Sequence, residues 1–401
     1  MAAASVRRAP GNFPAQRQPA AYPRQPAANL YSLKARTRLF SSSNTEQMPA
    51  DSAADSAPQL LAVVVIGRNE GQRLRTCLHS VQSLALPARV RHAATIYVDS
   101  NSTDDSLELA RSLGAHTIPL ITGPWTAARG RNTGWRAALD LHPIDWVLFL
   151  DGDTVLDPDF LPVAFAAAIP DPSVATVFGQ RIESNPRQSI YTHVLALDWL
   201  QDPHQHAHFG GDVLIRTAAL QASGGYDDTL IAGEDPELSH RMRTLGWRHI
   251  QLDRIITTHD LAIRHFSQYW ARMRRSGYAY ADVAERFRHT PERFWFGDSR
   301  RNLLRGSFWL LSLAAALPLA ASFALAHHPA RAALTCAAWL ALFAAVCLRS
   351  AWRYRRRSAS LVTLFLYGIH SQFQQIPLLL GQLTWFADRL LARRRALIEY
   401  K

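Results

Sequence analysis

The sequence predicts an α/β protein with a mainly parallel sheet, followed by C-terminal transmembrane or interfacial helices. Three observations predict this. Short β-branched apolar runs alternate with helical periods from residue 60 onward. Those runs end in clusters of polar residues, where open α/β sheets bind their ligands. After residue 294 the alternation gives way to long uncharged stretches bounded by arginines.

Residues 61–66 form a continuous apolar run and read as a buried parallel strand. The helix that follows carries Leu74, Leu78 and Val81 on one face. Residues 95–98 form the second strand. Thr103 is positioned to cap a helix bearing Leu107, Ala110 and Leu113, and Gly114 suits its end. Residues 125–139 read as a further helix and 146–150 as a third buried strand. The βαβα order calls for a parallel sheet with helices on both faces.

Three domains are expected: residues 1–57, 58–290 and 291–401. Residues 1–57 are rich in Ala, Pro, Gln, Ser and Arg, with no acid before Glu46. They read as disordered, or as sequence preceding a true start at Met48, rather than as a targeting segment. In the last domain, residues 306–326 carry no charge over a length that spans about 31 Å as a helix. Residues 332–348 are a second uncharged run, joined to the first through His327-His328-Pro329. Residues 358–387 hold a polar centre, 370–377, and read as a re-entrant or interfacial helix pair broken at Pro377.

The chain has 401 residues, is 48% apolar and carries a net charge of +12, with Lys34 and Lys401 its only lysines. The arginines flank the apolar C-terminal stretches. That placement favours membrane lipids as partner and argues against nucleic acid. It also puts Arg300, Arg301, Arg305, the 353–357 cluster and the C-terminus on the cytoplasmic side of a cell membrane, together with the preceding domain. Three cysteines, Cys77, Cys336 and Cys347, offer no disulfide framework.

The chemistry is concentrated at strand ends. Asn69 and Glu70 follow the first strand, and Asp99 closes the second with carboxylate oxygens suited to a base or ribose. Arg131 stands among small residues in Ala128-Arg129-Gly130-Arg131-Asn132-Thr133-Gly134 and suits a phosphate or a uracil-type edge. Asp151-Gly152-Asp153 ends the third strand, where carboxylates can hold Mg²⁺ or Mn²⁺ against a diphosphate. Glu234-Asp235 comes later; Asp235 is placed to cap a helix with Pro236 at its first position, which would fix a carboxylate at the cleft as a proton acceptor. His259, after a strand-like run, could add an imidazole to the cation or the diphosphate. Gly277, Tyr278 and Tyr280 are candidates for an acceptor path.

These segments, in this order over residues 60–280, resemble glycosyltransferase family 2 on the GT-A nucleotide-sugar-binding fold. The resemblance implies Asp99 as the nucleoside-binding aspartate, with Arg131 and Asn132 as donor contacts. It implies Asp151 and Asp153 as the metal and diphosphate motif, Asp235 as the base and Glu234 as its neighbour. The family inverts the anomeric centre in one displacement. Its processive synthases carry Gln-x-x-Arg-Trp, whereas this chain has Gln251-Leu252-Asp253-Arg254-Ile255. The expectation is therefore transfer of one sugar from a nucleotide-diphosphate sugar to a lipid-linked or membrane-associated acceptor, in cell-envelope or exopolysaccharide synthesis. The alternatives are a processive synthase and a non-catalytic scaffold of a polysaccharide assembly complex.

Overall fold

A computed structural model describes residues 57–199, 208–358 and 360–393. Residues 1–56 of the expected disordered segment lie outside these. In chain order the elements are β1 (Gln59–Gly67), α1 (Gln72–Gln82), β2 (Val90–Asp99), α2 (Ser106–Ser112), β3 (His116–Pro119), α3 (Ala127–Leu141), β4 (Trp146–Asp151) and β5 (Thr154–Leu156). Next come α4 (Phe160–Ala168), β6 (Val174–Glu183), α5 (Ile190–Trp199), β7 (Val213–Arg216), α6 (Thr217–Ser223), α7 (Glu234–Thr244), β8 (Arg248–His259) and α8 (Phe266–Arg286). Four helices follow: α9 (Phe296–Leu325), α10 (Pro329–Arg353), α11 (Leu361–Phe373) and α12 (Gln375–Leu390).

The strands form one sheet in the order β3-β2-β1-β4-β7-β6-β8-β5. The half from β3 to β4 is parallel, as the sequence predicts. Beyond it β7 runs antiparallel to both β4 and β6, and β5 antiparallel to β8, so the sheet is mixed but mostly parallel. The apolar run of β1 is buried because the sheet is covered on both faces. Leu61, Val63 and Val65 pack with Leu74 and Leu78 of α1 and Phe165 of α4. Ala62, Val64 and Ile66 pack on the other face with Trp135 of α3 and Met242 of α7.

Three local expectations are corrected. Helix α2 begins three residues after Thr103, with Asp105 at its N-cap; the Thr103 amide instead donates to Asn69 Oδ1 at 2.7 Å. Gly233, in a left-handed conformation (φ 84°), is the N-cap of α7, so Asp235 stands one residue inside the helix and its side chain makes no capping bond. The break between α11 and α12 falls at Gln374, and Pro377 sits in the first turn of α12, where its missing N–H costs no helical bond.

Helices α9 and α10 are each long and apolar enough to cross a membrane. Helix α9 starts ten residues before the uncharged run, taking Arg300, Arg301 and Arg305 into its first turns. Helix α12 packs against α8, where Ile231, Tyr278, Ala281 and Trp385 form a shared apolar cluster.

Candidate active site

The carboxyl ends of β1, β4 and their neighbours open into a cleft of about 700 Å³. Asn69, Glu70, Arg131, Asp151, Asp153, Glu234, Asp235 and His259 all line it. Sheet register explains how residues so far apart in sequence meet. Strand β5 pairs antiparallel with β8, setting Thr154 opposite His259. The neighbouring Asp153 Oδ1 then lies 3.2 Å from His259 Nε2. Asp151, Asp153 and His259 bring their potential ligand atoms within 4.8 Å of one another.

Arg131, on α3, is almost fully buried and joins the two acidic motifs. Its Nη2 donates to Asp151 Oδ1 at 2.9 Å; its Nη1 donates to Glu234 Oε1 at 2.8 Å and lies 3.3 Å from Asp235 Oδ1. Burial alone would weaken the charged form of Arg131, but Asp235 and Asp151 outweigh it and hold the guanidinium protonated. In return, Arg131 and Arg181 overcome the burial of Asp151 and keep its carboxyl below the usual range. Asp235 goes the other way. Burial pushes it up to about 8, with Glu234 and Asp151 adding to the rise and Arg131 opposing it.

Two charged residues complete the site that no motif pointed to as site residues. Arg181 on β6 pairs with Asp212 Oδ2 at 2.7 Å and reaches Asp151 Oδ2 at 3.3 Å. Asp212 precedes β7, whose antiparallel pairing with β4 sets it beside the Asp151 amide, and it accepts from Thr257 Oγ1 at 2.7 Å. Burial raises its pKa against the pull of Arg181. The Gly210-Gly211-Asp212 run was the only available signal. Gly211 is needed for the approach: a Cβ there would lie 2.6 Å from Asp151 Oδ2 and 2.7 Å from Arg131 Nη2.

Asp99 and Asn132 are buried beneath the cleft rather than among the residues that line it. Asp99 accepts from Tyr97 Oη and from the amide and hydroxyl of Ser102. Asn132 donates to the Tyr226 carbonyl and accepts from the Tyr226 amide, holding the Gly224-Gly225-Tyr226 turn against α3. Asn69, in the left-handed region (φ 55°), ties the β1 turn to the β2 turn through Ser102 and Thr103. The acceptor-path residues are packed instead: Gly277 lies against Leu378, Tyr278 joins the α8–α12 cluster, and Tyr280 packs on Trp295. Arg272, Arg275 and Ser276 form the α8 wall of the cleft.

The cluster fits a hard divalent cation. It offers two carboxylates and an imidazole, and Asp153 and His259 are nearly inaccessible. His259 Nδ1 is buried without a hydrogen-bond partner among the described residues, which leaves the imidazole uncommitted to any neighbour on that side.

Known proteins bear on this geometry. The family described as "Glycosyl transferase family 2" matches residues 62–219, and the one described as "Glycosyl transferase family group 2" matches residues 146–348, half of the chain. An uncharacterized glycosyltransferase of Rickettsia prowazekii (strain Madrid E) is 29% identical over 99 residues, 25% of this chain and 30% of the relative. One from Rickettsia conorii (strain ATCC VR-613 / Malish 7) is 30% identical over 104 residues, 26% of this chain and 32% of the relative. The chain thus spans about a third of the length of these curated relatives. The mannosyltransferase PcManGT from Pyrobaculum calidifontis, solved in complex with GDP-Man and Mn²⁺, superposes with a TM-score of 0.55. It is 20% identical, over 86% of this chain and 92% of that one, a likeness of fold. With family matches running from residue 62 to residue 348 across both acidic motifs, the chain belongs to glycosyltransferase family 2 and has the GT-A fold.

Proposed function

We propose that the protein is an inverting, metal-dependent glycosyltransferase that moves one sugar from a nucleotide-diphosphate sugar to a hydroxyl of a lipid-linked or membrane-associated acceptor. The observation that carries this reading is the meeting of Asp151, Asp153, His259 and Asp235 around one cleft. Asp151, Asp153 and His259 would hold Mg²⁺ or Mn²⁺, which supplies positive charge to the departing diphosphate when bound. The fold neighbour bound to GDP-Man and Mn²⁺ supports that choice of donor class and metal.

Asp235 takes the proton of the acceptor hydroxyl as its oxygen bonds to the anomeric carbon and the carbon–diphosphate bond breaks. A base with a pKa of about 8 is matched to proton transfer near neutral pH. Arg131 fixes the base relative to the diphosphate motif, because one guanidinium holds both. Arg181 adds positive charge beside Asp151 and Asp212, where the diphosphate would lie. Attack from the Asp235 side, opposite the leaving group, inverts the anomeric centre.

The acceptor class rests on α9 and α10, two apolar helices that follow directly on the α8 wall of the cleft. In this reading they anchor the protein in a cell membrane with the catalytic domain on the cytoplasmic, arginine-rich side, serving cell-envelope or exopolysaccharide synthesis. The experiment is product analysis with radiolabelled donor, membrane lipid extract and detergent-purified protein. One lipid-soluble product with a single added sugar, of inverted configuration by NMR, is expected. A ladder of lengthening products would replace this reading with processive synthesis, and retained configuration would remove the single displacement.

A further inference from the structure

A metal-binding histidine is ordinarily oriented by a hydrogen bond from its second ring nitrogen to a carboxylate, carbonyl or water. His259 has no such partner at Nδ1 among the described residues. Trp199 packs perpendicular to its ring, with centroids 4.9 Å apart and planes at 88°. The same indole lies beneath the Arg181 guanidinium, 6.0 Å from the ring centroid, and Arg181 pairs with Asp151. Trp199 therefore lies against His259 and near the arginine that pairs with Asp151.

Trp199 is the last residue of α5, and α5 is fastened from outside the cleft. Asp198 Oδ1 accepts from Tyr367 Oη on α11 at 2.5 Å, and Asp198 Oδ2 lies 3.4 Å from His370 Nε2. Arg357 donates to the Leu197 carbonyl at 3.1 Å and to Tyr367 Oη at 2.9 Å. His193 Nε2 meets Thr363 Oγ1 at 2.9 Å, and Tyr269 Oη on α8 meets His370 Nδ1 at 2.9 Å. The bonds of His193, Leu197 and Asp198 fix the helix that presents the indole, and those of Tyr269 and Arg357 hold its partners His370 and Tyr367 in place.

We infer that Trp199 is a positioning residue for the cation site, orienting the His259 imidazole by perpendicular ring packing, and that the Asp198–Tyr367–His370 contact with α11 holds it there. The inference rests on the reading of Asp151, Asp153 and His259 as cation ligands. It makes the membrane-side helix α11 a structural support of the metal site, so cation affinity depends on residues that touch neither metal nor substrate.

The test is Mn²⁺ titration of the full-length protein in detergent, with free Mn²⁺ read by electron paramagnetic resonance, alone and with UDP or GDP present. Wild type is expected to bind one ion and Asp153→Asn to lose it. Trp199→Leu is expected to weaken binding about tenfold and Tyr367→Phe by a smaller factor, the scale of other outer-shell partners. Trp199→Phe, which keeps an aromatic ring, should recover part of the loss. If Trp199→Leu does not fold, Trp199→Phe and Tyr367→Phe still carry the comparison, with melting temperatures as a check on folding. Wild-type affinity in the Trp199 and Tyr367 variants, with binding lost in Asp153→Asn, overturns the inference alone. Absence of Mn²⁺ binding in the wild type overturns the cation reading and the inference with it.

Discussion

Arg131 Nη2 lies 2.9 Å from Asp151 Oδ1, and through that guanidinium the Asp151-Gly152-Asp153 motif at the end of β4 is tied to the helix that carries Asp235. The guanidinium is almost wholly buried, so its three carboxylate partners have little water to replace it. Removing one member of a buried ion network typically costs about 3–5 kcal/mol. Arg131→Ala is therefore expected to lower the melting temperature by several degrees and to abolish measurable transfer. Arg131→Lys, a single point charge in place of a fork, should fold better yet remain impaired. Thermal unfolding beside a transfer assay checks both. A fully active Arg131→Ala would show that the bridge has no part in catalysis.

With Asp235 as the proposed base, its carboxyl is expected to set the pH dependence. Its pKa is raised from 3.8 to about 8, chiefly by burial, so the competent carboxylate grows in as pH rises through that value. Below it, kcat/KM should fall about tenfold per pH unit. The effect on stability has the opposite sense. The folded state holds this proton more tightly than the unfolded chain, so the stabilisation is complete below about pH 3.8 and is lost as pH rises through about 8. A pH–rate profile measured with metal and donor saturating gives the apparent value. An acid limb far below pH 6 would point to another base.

Gly211 is a steric test of the cluster. A Cβ there would enter the space between Asp151 and Arg131 at 2.6 and 2.7 Å. Both contacts are with side chains of the proposed donor and metal site, so Gly211→Ala should cost activity out of proportion to stability. The expected result is a drop of one to two orders of magnitude in kcat/KM with a melting temperature within a few degrees of wild type, each order being about 1.4 kcal/mol of barrier. An unchanged kcat/KM would mean that the cluster tolerates rearrangement.

The contact of α8 with α12 predicts that the C-terminal helices are structural partners of the catalytic domain. Gly381 faces α8 so closely that a Cβ would lie 2.1 Å from the Arg274 carbonyl, and Gly277 meets the Leu378 carbonyl at the same distance. Backbone atoms cannot yield as side chains do, so Gly381→Leu should separate the helices and cause aggregation or a large fall in melting temperature. Gly297→Ala, with nothing within 4 Å, is the control and should be neutral or slightly stabilising. Truncation after residue 295 is expected to yield aggregated protein, because it uncovers Tyr278 and Ile231.

The parallel half of the sheet and the acidic motifs were legible because they are local. Asp151 closes the apolar strand β4 and His259 closes β8, so each signal sits within a few residues of a strand end. Arg181 and Asp212 were not legible, because they reach Asp151 only through β7, an antiparallel strand inserted between β4 and β6. Nothing in a strand's own composition announces its neighbours. The start of α7 shifted by two residues because Gly233 can take the left-handed N-cap conformation, which left Asp235 inside the first turn facing Arg131. The polar centre of residues 358–387 suggests a re-entrant or interfacial helix pair broken at Pro377. Its residues turn inward: His370 and Gln375 are buried, His370 against Tyr269 and near Asp198.

On the proposed function, this cleft transfers a sugar from a nucleotide-diphosphate donor with a metal's help and Asp235 as base. Nucleoside diphosphate release by the detergent-purified protein tests it most directly. The assay runs over a panel of sugar nucleotides, with Mn²⁺ or Mg²⁺ and a membrane lipid extract, beside a chelator control and Asp235→Asn. Release with one donor is expected, abolished by the chelator and by Asp235→Asn. Release that persists in Asp235→Asn or under chelation, or a panel with neither release nor donor binding, would contradict it.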